Sequence, residues 1–226
     1  MLQTVRMGII GAGSFTRNRM LPNFISIPNV ELVAVANRSL ESAELVAAEY
    51  GITSALADWK QLLARSDVDA VFVGTQPNAH HEIVQAALQA GKHVLCQTRL
   101  TTSLQKARQM YETAQATGLA TMLVRAAAYS HTHRYVKHLL STGYVGQVRQ
   151  VFAYYFLPNY VDSSSALHRR QDHRNFGVIN PMALGIYWDV LRSWFGDPNR
   201  VFASSDIFTP QRSDGPNGPQ ISVELP

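Results

Sequence analysis

Apolar and polar positions follow two different periods along the first half of the chain. Short, β-branched apolar runs are separated by longer stretches with an amphipathic, helix-like spacing. This alternation is typical of parallel strands joined by crossover helices. The predicted strands are Val5 to Ile10, Glu31 to Ala36, Ala70 to Gly74, His93 to Cys96 and Ala120 to Val124.

Helix-capping residues support the helices predicted between these strands. Ser39 can cap a helix that ends at Gly51, and Asp58 can cap a helix over the segment WKQLLAR. A further helix is predicted over Ala79 to Ala90. Each strand and helix unit is short and has clear end signals, as a doubly wound α/β sheet requires.

The pattern changes near residue 124, where we place a domain boundary. Beyond it we predict helices over Tyr135 to Leu140 and Asn180 to Phe195. The segment GQVRQVFAYYFL alternates as a one-sided antiparallel strand does, and RVFASSDIF and ISVEL also resemble strands. The segment TPQRSDGPNGPQ, rich in proline and glycine, indicates a hairpin or loop.

These patterns together predict an α/β fold with two domains. Residues 1–124 are expected to form a doubly wound parallel sheet, and residues 125–226 an α+β domain with a mainly antiparallel sheet. Because the chain stops in mid-pattern at Pro226, we expect the second domain to be incomplete.

Composition narrows the class of protein. Of the 226 residues, 46% are hydrophobic and only 16% are charged, which favours a globular protein over a disordered one. No apolar run reaches the length that spans a bilayer, and no cationic apolar leader precedes the first strand, so we expect a cytoplasmic protein that does not enter membranes. The single cysteine, Cys96, lies in an apolar run and is expected to be a buried thiol.

The net charge of +4 comes from scattered basic residues and one cluster, His168 to Arg174. No aromatic residues are interleaved with that cluster, so a nucleic-acid partner has little support. Binding of an anionic small molecule would account for the same surplus of positive charge.

The segment GIIGAGSFT places Gly11 and Gly13 directly after the first strand and at the start of a helix. Backbone N–H groups and the helix dipole can meet a pyrophosphate there, so we expect Gly11, Gly13, Ser14 and Phe15 to line the dinucleotide turn of a Rossmann domain. The third position of this fingerprint is Thr16, whose side chain is expected to hold helix and strand further apart. The alternative is a tight turn that binds nothing.

The second strand leads into Asn37 and Arg38, where dinucleotide enzymes usually carry an acidic residue for the ribose hydroxyls. An arginine can pair bidentately with a 2′-phosphate and stack on adenine, which favours NADP over NAD. The alternative is a solvated surface arginine.

Four segments carry a resemblance to a known family: GIIGAGSFT, ELVAVANRSLESAELVAAEYG, DVDAVFVGTQPNAHHEIVQAALQAGKHVLC and GYVGQVRQV. The chain resembles the Gfo/Idh/MocA family, the relatives of glucose-fructose oxidoreductase and inositol dehydrogenase. The resemblance implies a Rossmann domain followed by an α+β domain that shapes the substrate site and often the oligomer interface. It also implies oxidation or reduction of sugars, polyols and related compounds with NAD or NADP.

The resemblance implies further cofactor contacts after the third predicted strand. The segment TQPNAHH is similar to the family's T-P-N-x-x-H segment, which implies that Thr75, Gln76, Asn78 and His81 line the cofactor. His81 could instead cap or pack on the following helix.

A catalytic Glu-Lys-Pro triplet of the family is replaced here by Gln97, Thr98 and Arg99. The Gln97 amide can still bond a ribose hydroxyl, whereas Thr98 stands at the lysine position without its charge or its ammonium proton. The family's cis peptide usually precedes the proline, so without proline we expect a different loop shape.

The family's second catalytic element resembles GVINPMALGIY, with Ala183 at its acidic position and Tyr187 at its histidine position. Some branches of the family use a tyrosine there, and a phenol can exchange a proton if a nearby cation lowers its pKa. Tyr187 is therefore the candidate acid and base. The alternative is a half-buried aromatic beside Trp188 and Trp194.

Three more residues are candidate substrate contacts. The segment RAAAYSH has alanines where the family has a basic residue, and Tyr129 follows them. Arg170 and Asp172 keep an R-x-D arrangement of the family, although they could simply pair with each other at the surface.

The resulting hypothesis is an NADP-preferring oxidoreductase of a sugar or polyol-like substrate, expected to form homo-oligomers. No metal site is expected, because the histidine pairs lack a third ligand at a suitable spacing. The alternative is a non-catalytic relative that binds a dinucleotide or sugar as a sensor or regulatory subunit, since the lysine, aspartate and histidine of the family pattern are all replaced.

Overall fold

The structure is a computed structural model that describes residues 4–124, 130–156, 158, 160–176, 185 and 187–225. Contacts divide the chain into two compact units, Met1–Val124 and Arg125–Pro226. Among the residues described, the helices are too short or too polar for any of them to cross a membrane.

Six parallel strands form the sheet of the first unit, in the order β3-β2-β1-β4-β5-β6. Their bounds are β1 Val5–Ile10, β2 Val30–Ala36, β3 Ser54–Leu56, β4 Ala70–Val73, β5 His93–Gln97 and β6 Thr121–Val124. The five predicted strands are confirmed, with ends that differ by a residue. The edge strand β3 was missed because three residues are too few to show a period.

The helices of the first unit pack on both faces of this sheet. They are α1 Leu21–Ile25, α2 Leu40–Tyr50, α3 Trp59–Leu63, α4 Pro77–Gln89 and α5 Leu104–Thr117. The predicted caps are confirmed: Ser39 accepts from the Ser42 N–H, and Asp58 accepts from the Lys60 N–H. A π-helical turn over Thr16–Met20 precedes α1.

The core of the first unit lies in two apolar clusters that alternate along the central strands. Ile10, Val71 and Val73 belong to one cluster, and Ile9 and Phe72 belong to the other. Because successive strand side chains point to opposite faces, these clusters cover the two faces of one sheet. Full burial on both faces explains why the strands read as continuous apolar runs.

The second unit has less regular structure. Its elements are the helices α6 His131–Ser141, α7 His173–Phe176 and α8 Trp188–Phe195, a 3-10 turn Arg169–Gln171, and the antiparallel hairpin of β7 Gln211–Ser213 and β8 Gln220–Ser222. The predicted hairpin or loop over TPQRSDGPNGPQ is confirmed as this hairpin, and ISVEL contributes only its first two residues to β8.

A buried arginine holds this unit together. Arg212, only 1% exposed, donates hydrogen bonds to the carbonyl oxygens of Tyr160, Asp162 and Ser165 and to the Ser165 hydroxyl. These bonds fix the segment 160–165 against the hairpin.

Two predicted strands are wrong. The described residues of 146–157 and 200–208 contain no strand, and the side chains of Phe152, Phe156, Phe202 and Phe208 are largely exposed. A strand forms only where a neighbour pairs with its backbone, and in the described part of the unit β7 and β8 pair only with each other.

The predicted helix over Asn180 to Phe195 is confirmed only in part. The described helix α8 starts at Trp188, and residues 177–184 and 186 lie outside the described residues. The helix predicted over Tyr135 to Leu140 is longer in the structure, because Ser130 caps α6 through a hydrogen bond from the His133 N–H.

Candidate functional site

The turn after β1 approaches the loop after β4 very closely. Gly11 has a left-handed φ of 87°, and a Cβ added there would lie 2.7 Å from Thr75 Cγ2 and 2.8 Å from the Thr75 backbone nitrogen. Only glycine fits this position. A Cβ at Gly13, by contrast, would meet no described atom within 4 Å, and Gly13, Ser14 and Phe15 are exposed. The turn is thus closed toward the protein and open toward solvent.

Thr16 does not hold the helix away from the sheet, contrary to expectation. Its side chain is 1% exposed, and its hydroxyl donates to the Gly11 carbonyl at 3.0 Å. Gly74 makes the room, since a Cβ on Gly74 would lie 2.5 Å from Thr16 Oγ1. Because Gly74 in the loop after β4 has no side chain, the side chain of Thr16, which replaces the fingerprint glycine, fits against the sheet.

Asn37 supports the glycine turn from the end of β2. Its Oδ1 accepts from the Ala12 N–H at 2.8 Å, and its Nδ2 donates to the Ser42 carbonyl at 3.1 Å. Both ends of the amide are engaged, so Asn37 positions the turn. The next side chain, Arg38, is exposed, and no hydrogen bond or ion pair joins it to any described residue.

The loop after β4 carries the next predicted residues. Thr75 Oγ1 is buried and has no hydrogen-bond partner among the described residues. Gln76 stands at the N-cap of α4 without a side-chain cap bond, and Asn78 in the first turn is exposed. His81 is half-buried, and its Nε2 also has no described partner.

The loop after β5 completes this edge of the sheet. Gln97 is the last residue of β5, and its buried Oε1 has no described partner. The peptide bond between Thr98 and Arg99 is cis. The expectation that this loop loses the family's cis bond with its proline is therefore wrong.

His80 is the residue that sequence reasoning missed. It is completely buried, with Nε2 2.9 Å from the Thr75 carbonyl oxygen and Nδ1 2.8 Å from that of Arg99. Burial lowers the pKa of His80, while the carbonyl contacts oppose that shift. The adjacent pair of histidines was the available signal, but it could not distinguish the buried ring from its neighbour His81.

Cys96 lies beside the His80 ring, with Sγ 3.4 Å from Nδ1. Burial raises the pKa of this thiol to about 12. The expected buried thiol is confirmed, and it is inert at neutral pH.

Tyr187 lies in the second unit, just before α8. Its ring centroid is 3.9 Å from that of Tyr155. Burial and, to a smaller extent, the neighbouring Tyr155 together raise the pKa of Tyr187 to about 12. The cation that we expected to lower this pKa does not contribute, so the phenol stays protonated at neutral pH. The structure brings Tyr187 near Tyr155, whereas Ala183 and Tyr129 lie outside the described residues.

Asp172 pairs with a different arginine from the one expected. The Arg174 guanidinium donates to both carboxylate oxygens at 2.8 Å and holds the pKa of Asp172 below its usual range. Arg170, the predicted partner, contacts His168 through its backbone N–H. Asp172, His173 and Glu224 place possible ligand atoms within 4.8 Å of one another, but Asp172 is already neutralised by Arg174 and His173 contacts Glu224.

The residues of the first unit fit a dinucleotide. The sheet order reverses between β1 and β4, and ligands of such sheets bind outside the carboxyl ends of the strands at that point. There the turn at Gly13 is open, and Thr75 Oγ1 and Gln97 Oε1 are buried polar atoms without described partners. A bound cofactor can supply those partners.

Comparison with known proteins agrees with this geometry. Residues 5–124 match the model of the GFO_IDH_MocA oxidoreductase family, NAD-binding Rossmann fold. The chain is 36% identical over 169 residues to a dTDP-3,4-didehydro-2,6-dideoxy-alpha-D-glucose 3-reductase of Saccharopolyspora spinosa, which covers 72% of this chain and 49% of that relative. The chain spans about half the length of the curated relatives it matches.

Solved structures give the same assignment. KijD10, a 3-ketoreductase from Actinomadura kijaniata crystallised with TDP-benzene and NADP, matches with a TM-score of 0.62 and 33% identity over 65% of this chain and 46% of that one. An oxidoreductase domain protein from Kribbella flavida matches with a TM-score of 0.83 and 25% identity over 99% of this chain and 62% of that one. The chain belongs to the Gfo/Idh/MocA oxidoreductase family, with an NAD-binding Rossmann fold.

Proposed function

We propose that the protein is an NAD(P)-dependent oxidoreductase that transfers a hydride between a nicotinamide cofactor and a sugar, polyol or related small molecule. The observation that carries this proposal is the Gly11 turn, closed against Thr75 and open to solvent at the point where the strand order reverses. Relatives with named activities are reductases and dehydrogenases, which favours an enzyme over a protein that only binds.

The residues around the turn form two regions, one for each half of the cofactor. The exposed backbone from Gly13 to Phe15 would hold the pyrophosphate. The adenosine half would extend toward the end of β2, where the exposed Arg38 favours the 2′-phosphate of NADP. The nicotinamide half would extend toward the loops after β4 and β5, where Thr75 and Gln97 offer buried polar atoms.

The bound cofactor supplies or accepts the hydride, and this chain must handle the proton. Tyr187 is the proposed proton donor for reduction of a carbonyl, because it stands at the family's histidine position; its raised pKa means that the bound cofactor or substrate would have to lower it for the transfer. Gln97 and Thr98 would orient the ribose and the substrate by hydrogen bonds. Tyr129, Arg170 and Asp172 are proposed substrate contacts; of these, Asp172 would bind as a carboxylate already paired with Arg174.

A ketone of a sugar nucleotide is the favoured substrate class within this proposal. Several relatives are named as dTDP-sugar 3-reductases, and KijD10 was crystallised with TDP-benzene. The positive net charge of +4 is compatible with an anionic nucleotide sugar. No nucleic acid or membrane partner forms part of the proposal, which also places the protein in the cytoplasm.

Fluorescence titration of the purified chain with NADPH and NADH is the first test, because it needs no substrate. We expect saturable binding of both, with NADPH the tighter ligand. Binding of neither would overturn the proposal at its cofactor step. Turnover with dTDP-linked keto sugars, simple aldoses and polyols then tests the substrate class, and cofactor binding without turnover on any of them would contradict hydride transfer.

The proposed acid gives a sharper test. The Tyr187→Phe variant removes only the phenol oxygen, so we expect kcat for carbonyl reduction to fall by about 100-fold with cofactor affinity unchanged. Tyr155→Phe is the matched control, because it alters the ring partner and leaves the proposed donor in place. Equal loss in both variants would indicate that the ring pair matters only for packing.

A further inference from the structure

His80 joins two loops that are far apart in sequence. Nε2 lies 2.9 Å from the Thr75 carbonyl oxygen in the loop after β4. Nδ1 lies 2.8 Å from the Arg99 carbonyl oxygen and 3.2 Å from that of Leu100, both in the loop after β5. The ring is completely buried, so no solvent competes for these carbonyls.

The two loops end the neighbouring strands β4 and β5, on one side of the point where the strand order reverses. The glycine turn after β1 and the end of β2 lie on the other side. A dinucleotide across that point places its adenosine half toward β2 and its nicotinamide half toward β4 and β5. His80 therefore lies behind the loops proposed for the nicotinamide half.

The carbonyls that His80 contacts belong to the backbone that presents the open polar atoms. Thr75 supplies both the carbonyl and the buried Oγ1 without a described partner, and the Arg99 carbonyl follows directly after Thr98. Gln97, with its buried Oε1, is two residues before Arg99. Movement of either loop would move these groups relative to each other.

The neutral ring has one N–H, so it donates to the carbonyl of one loop at a time. With the proton on Nε2 it donates to the Thr75 carbonyl, and Nδ1 can accept from the Cys96 thiol of β5 at 3.4 Å, so the ring still joins the loop after β4 to β5. A phenylalanine of similar size would fill the space and remove both the donor and the acceptor. The contribution of the ring is therefore separable from its volume.

We propose that His80 is a positioning residue that holds the loops after β4 and β5 in register, so that they bind the nicotinamide half of the cofactor. This inference rests on the proposed function, because it assumes a dinucleotide in the site. His80 touches neither cofactor nor substrate in this role and acts through Thr75, Gln97 and Thr98.

The test compares two ligands that differ only in nicotinamide: NADPH and 2′-phospho-ADP-ribose. For His80→Phe we expect NADPH affinity to fall about tenfold, with the affinity for 2′-phospho-ADP-ribose unchanged. His80→Gln keeps an amide donor for the carbonyls and is expected to recover part of the NADPH affinity. A merely structural role would not separate the two ligands.

His93→Gln is the matched control. His93 Nδ1 accepts from the Ala120 N–H at the opposite end of β5, so this change also alters a histidine-to-backbone bond in the same sheet. We expect it to leave both affinities unchanged. A wild-type chain that binds neither ligand contradicts the proposed function itself. A wild-type chain that binds both, with a His80→Phe variant that loses nothing or loses both equally, overturns the role of His80.

Discussion

Gly11 and Gly13 have opposite surroundings although they stand in one turn. Gly11 faces Thr75 at distances that no side chain tolerates, while Gly13 faces open space. The same residue type therefore has two functions: at Gly11 it permits a close approach within the protein, and at Gly13 it leaves room for a ligand. Stability and binding depend on these two positions in different ways.

Alanine at each position separates the two functions. Gly11→Ala forces a Cβ against the Thr75 backbone at a left-handed φ, so we expect a loss of ~1–3 kcal/mol in the free energy of unfolding as well as loss of cofactor binding. Gly13→Ala should bind NADPH at least tenfold more weakly with unchanged stability. Urea unfolding and NADPH titration of both variants check this, and equal destabilisation of the two would contradict it.

Arg38 is the proposed determinant of the choice between the two cofactors. It is exposed and has no described partner, so its removal costs the fold little. We expect Arg38→Ala to weaken NADPH binding about tenfold and to leave NADH binding unchanged. Arg108→Ala, which removes an exposed arginine from α5, is the control for net charge. Equal losses of NADPH affinity in the two variants would show that Arg38 acts only through the net charge of the protein.

At the scale of elements, one ion pair fastens the amino end of the sheet. The Arg6 backbone N–H and guanidinium both donate to the Asp69 carboxylate, which joins the start of β1 to the residue before β4. The Arg6 hydrogen bonds lower the pKa of Asp69 from its ordinary 3.8 to about 2. A carboxyl with a lowered pKa stabilises the fold above its ordinary pKa, and that stabilisation is lost as the pH falls toward about 2.

The Asp69→Asn variant should show this pH dependence. Near neutral pH we expect a loss of about 0.5–1 kcal/mol in the free energy of unfolding, kept small by partial exposure of both side chains. The difference from the wild type should shrink as the pH falls from about 4 to about 2. Asp67→Asn is the comparison: Asp67 pairs with Arg65 only two residues away and its pKa is also lowered, so we expect a pH dependence in the same direction but a smaller loss. Urea midpoints at several pH values measure both, and a constant difference would exclude the ion pair as its source.

The sequence predicts elements well where the signal is local. The strands β1, β2, β4, β5 and β6 are buried apolar runs and were recognised as such. The helix α5 was missed because LQKARQMYETAQAT is polar and buries only Met110. The predicted strand over GQVRQVFAYYFL failed because strand pairing depends on a distant partner that the alternation of residues does not reveal.

The candidate site divides in the same way. The glycine turn follows from spacing, since it stands at the end of a predicted strand, whereas Thr75 was predicted only through the resemblance to the family. The choice between His80 and His81 depends on which side of α4 faces the sheet, and the pairing of Asp172 with Arg174 depends on a local turn. Neither relation is visible in residue types alone.

At the scale of the whole molecule, the two units are stabilised differently. The first has a double-sided apolar core, whereas the largest buried side chain among the described residues of the second is the cation Arg212. Arg212 replaces apolar packing by hydrogen bonds to backbone oxygens, an arrangement that fails when the donor is removed. The stability of the second unit is therefore expected to depend more on the side-chain hydrogen bonds of one residue than the stability of the first unit does.

Replacement of Arg212 by methionine tests this difference. The variant leaves four oxygen acceptors of Tyr160, Asp162 and Ser165 without their donor, so we expect the second unit to lose ~3 kcal/mol of stability. Arg149→Met, an exposed position in the same unit, is the control. In a Trp59→Phe background, which removes the tryptophan of the first unit, fluorescence follows the second unit through Trp188 and Trp194. An unchanged melting temperature would contradict the role of Arg212.

The exposed aromatic side chains of the second unit suggest self-association. Phe152, Phe156, Phe202 and Phe208 lie in segments without strand partners. Large exposed apolar patches are typical of interaction surfaces, and unpaired segments of strand-like sequence favour pairing with another copy. Light scattering at increasing protein concentration should reveal oligomers, and a concentration-independent monomer would contradict the expected homo-oligomer.

The contact between Thr16 and Gly74 has an evolutionary consequence. A side chain on Gly74 would collide with the Thr16 hydroxyl, so threonine at position 16 depends on glycine at position 74. The dependence runs in one direction, because a Cβ on Gly74 would also lie 2.6 Å from the Gly11 carbonyl oxygen and 2.7 Å from Phe72 Cε1. Gly74→Ala is therefore expected to be harmful beside either residue at position 16, whereas Thr16 can change to a smaller residue while Gly74 stays.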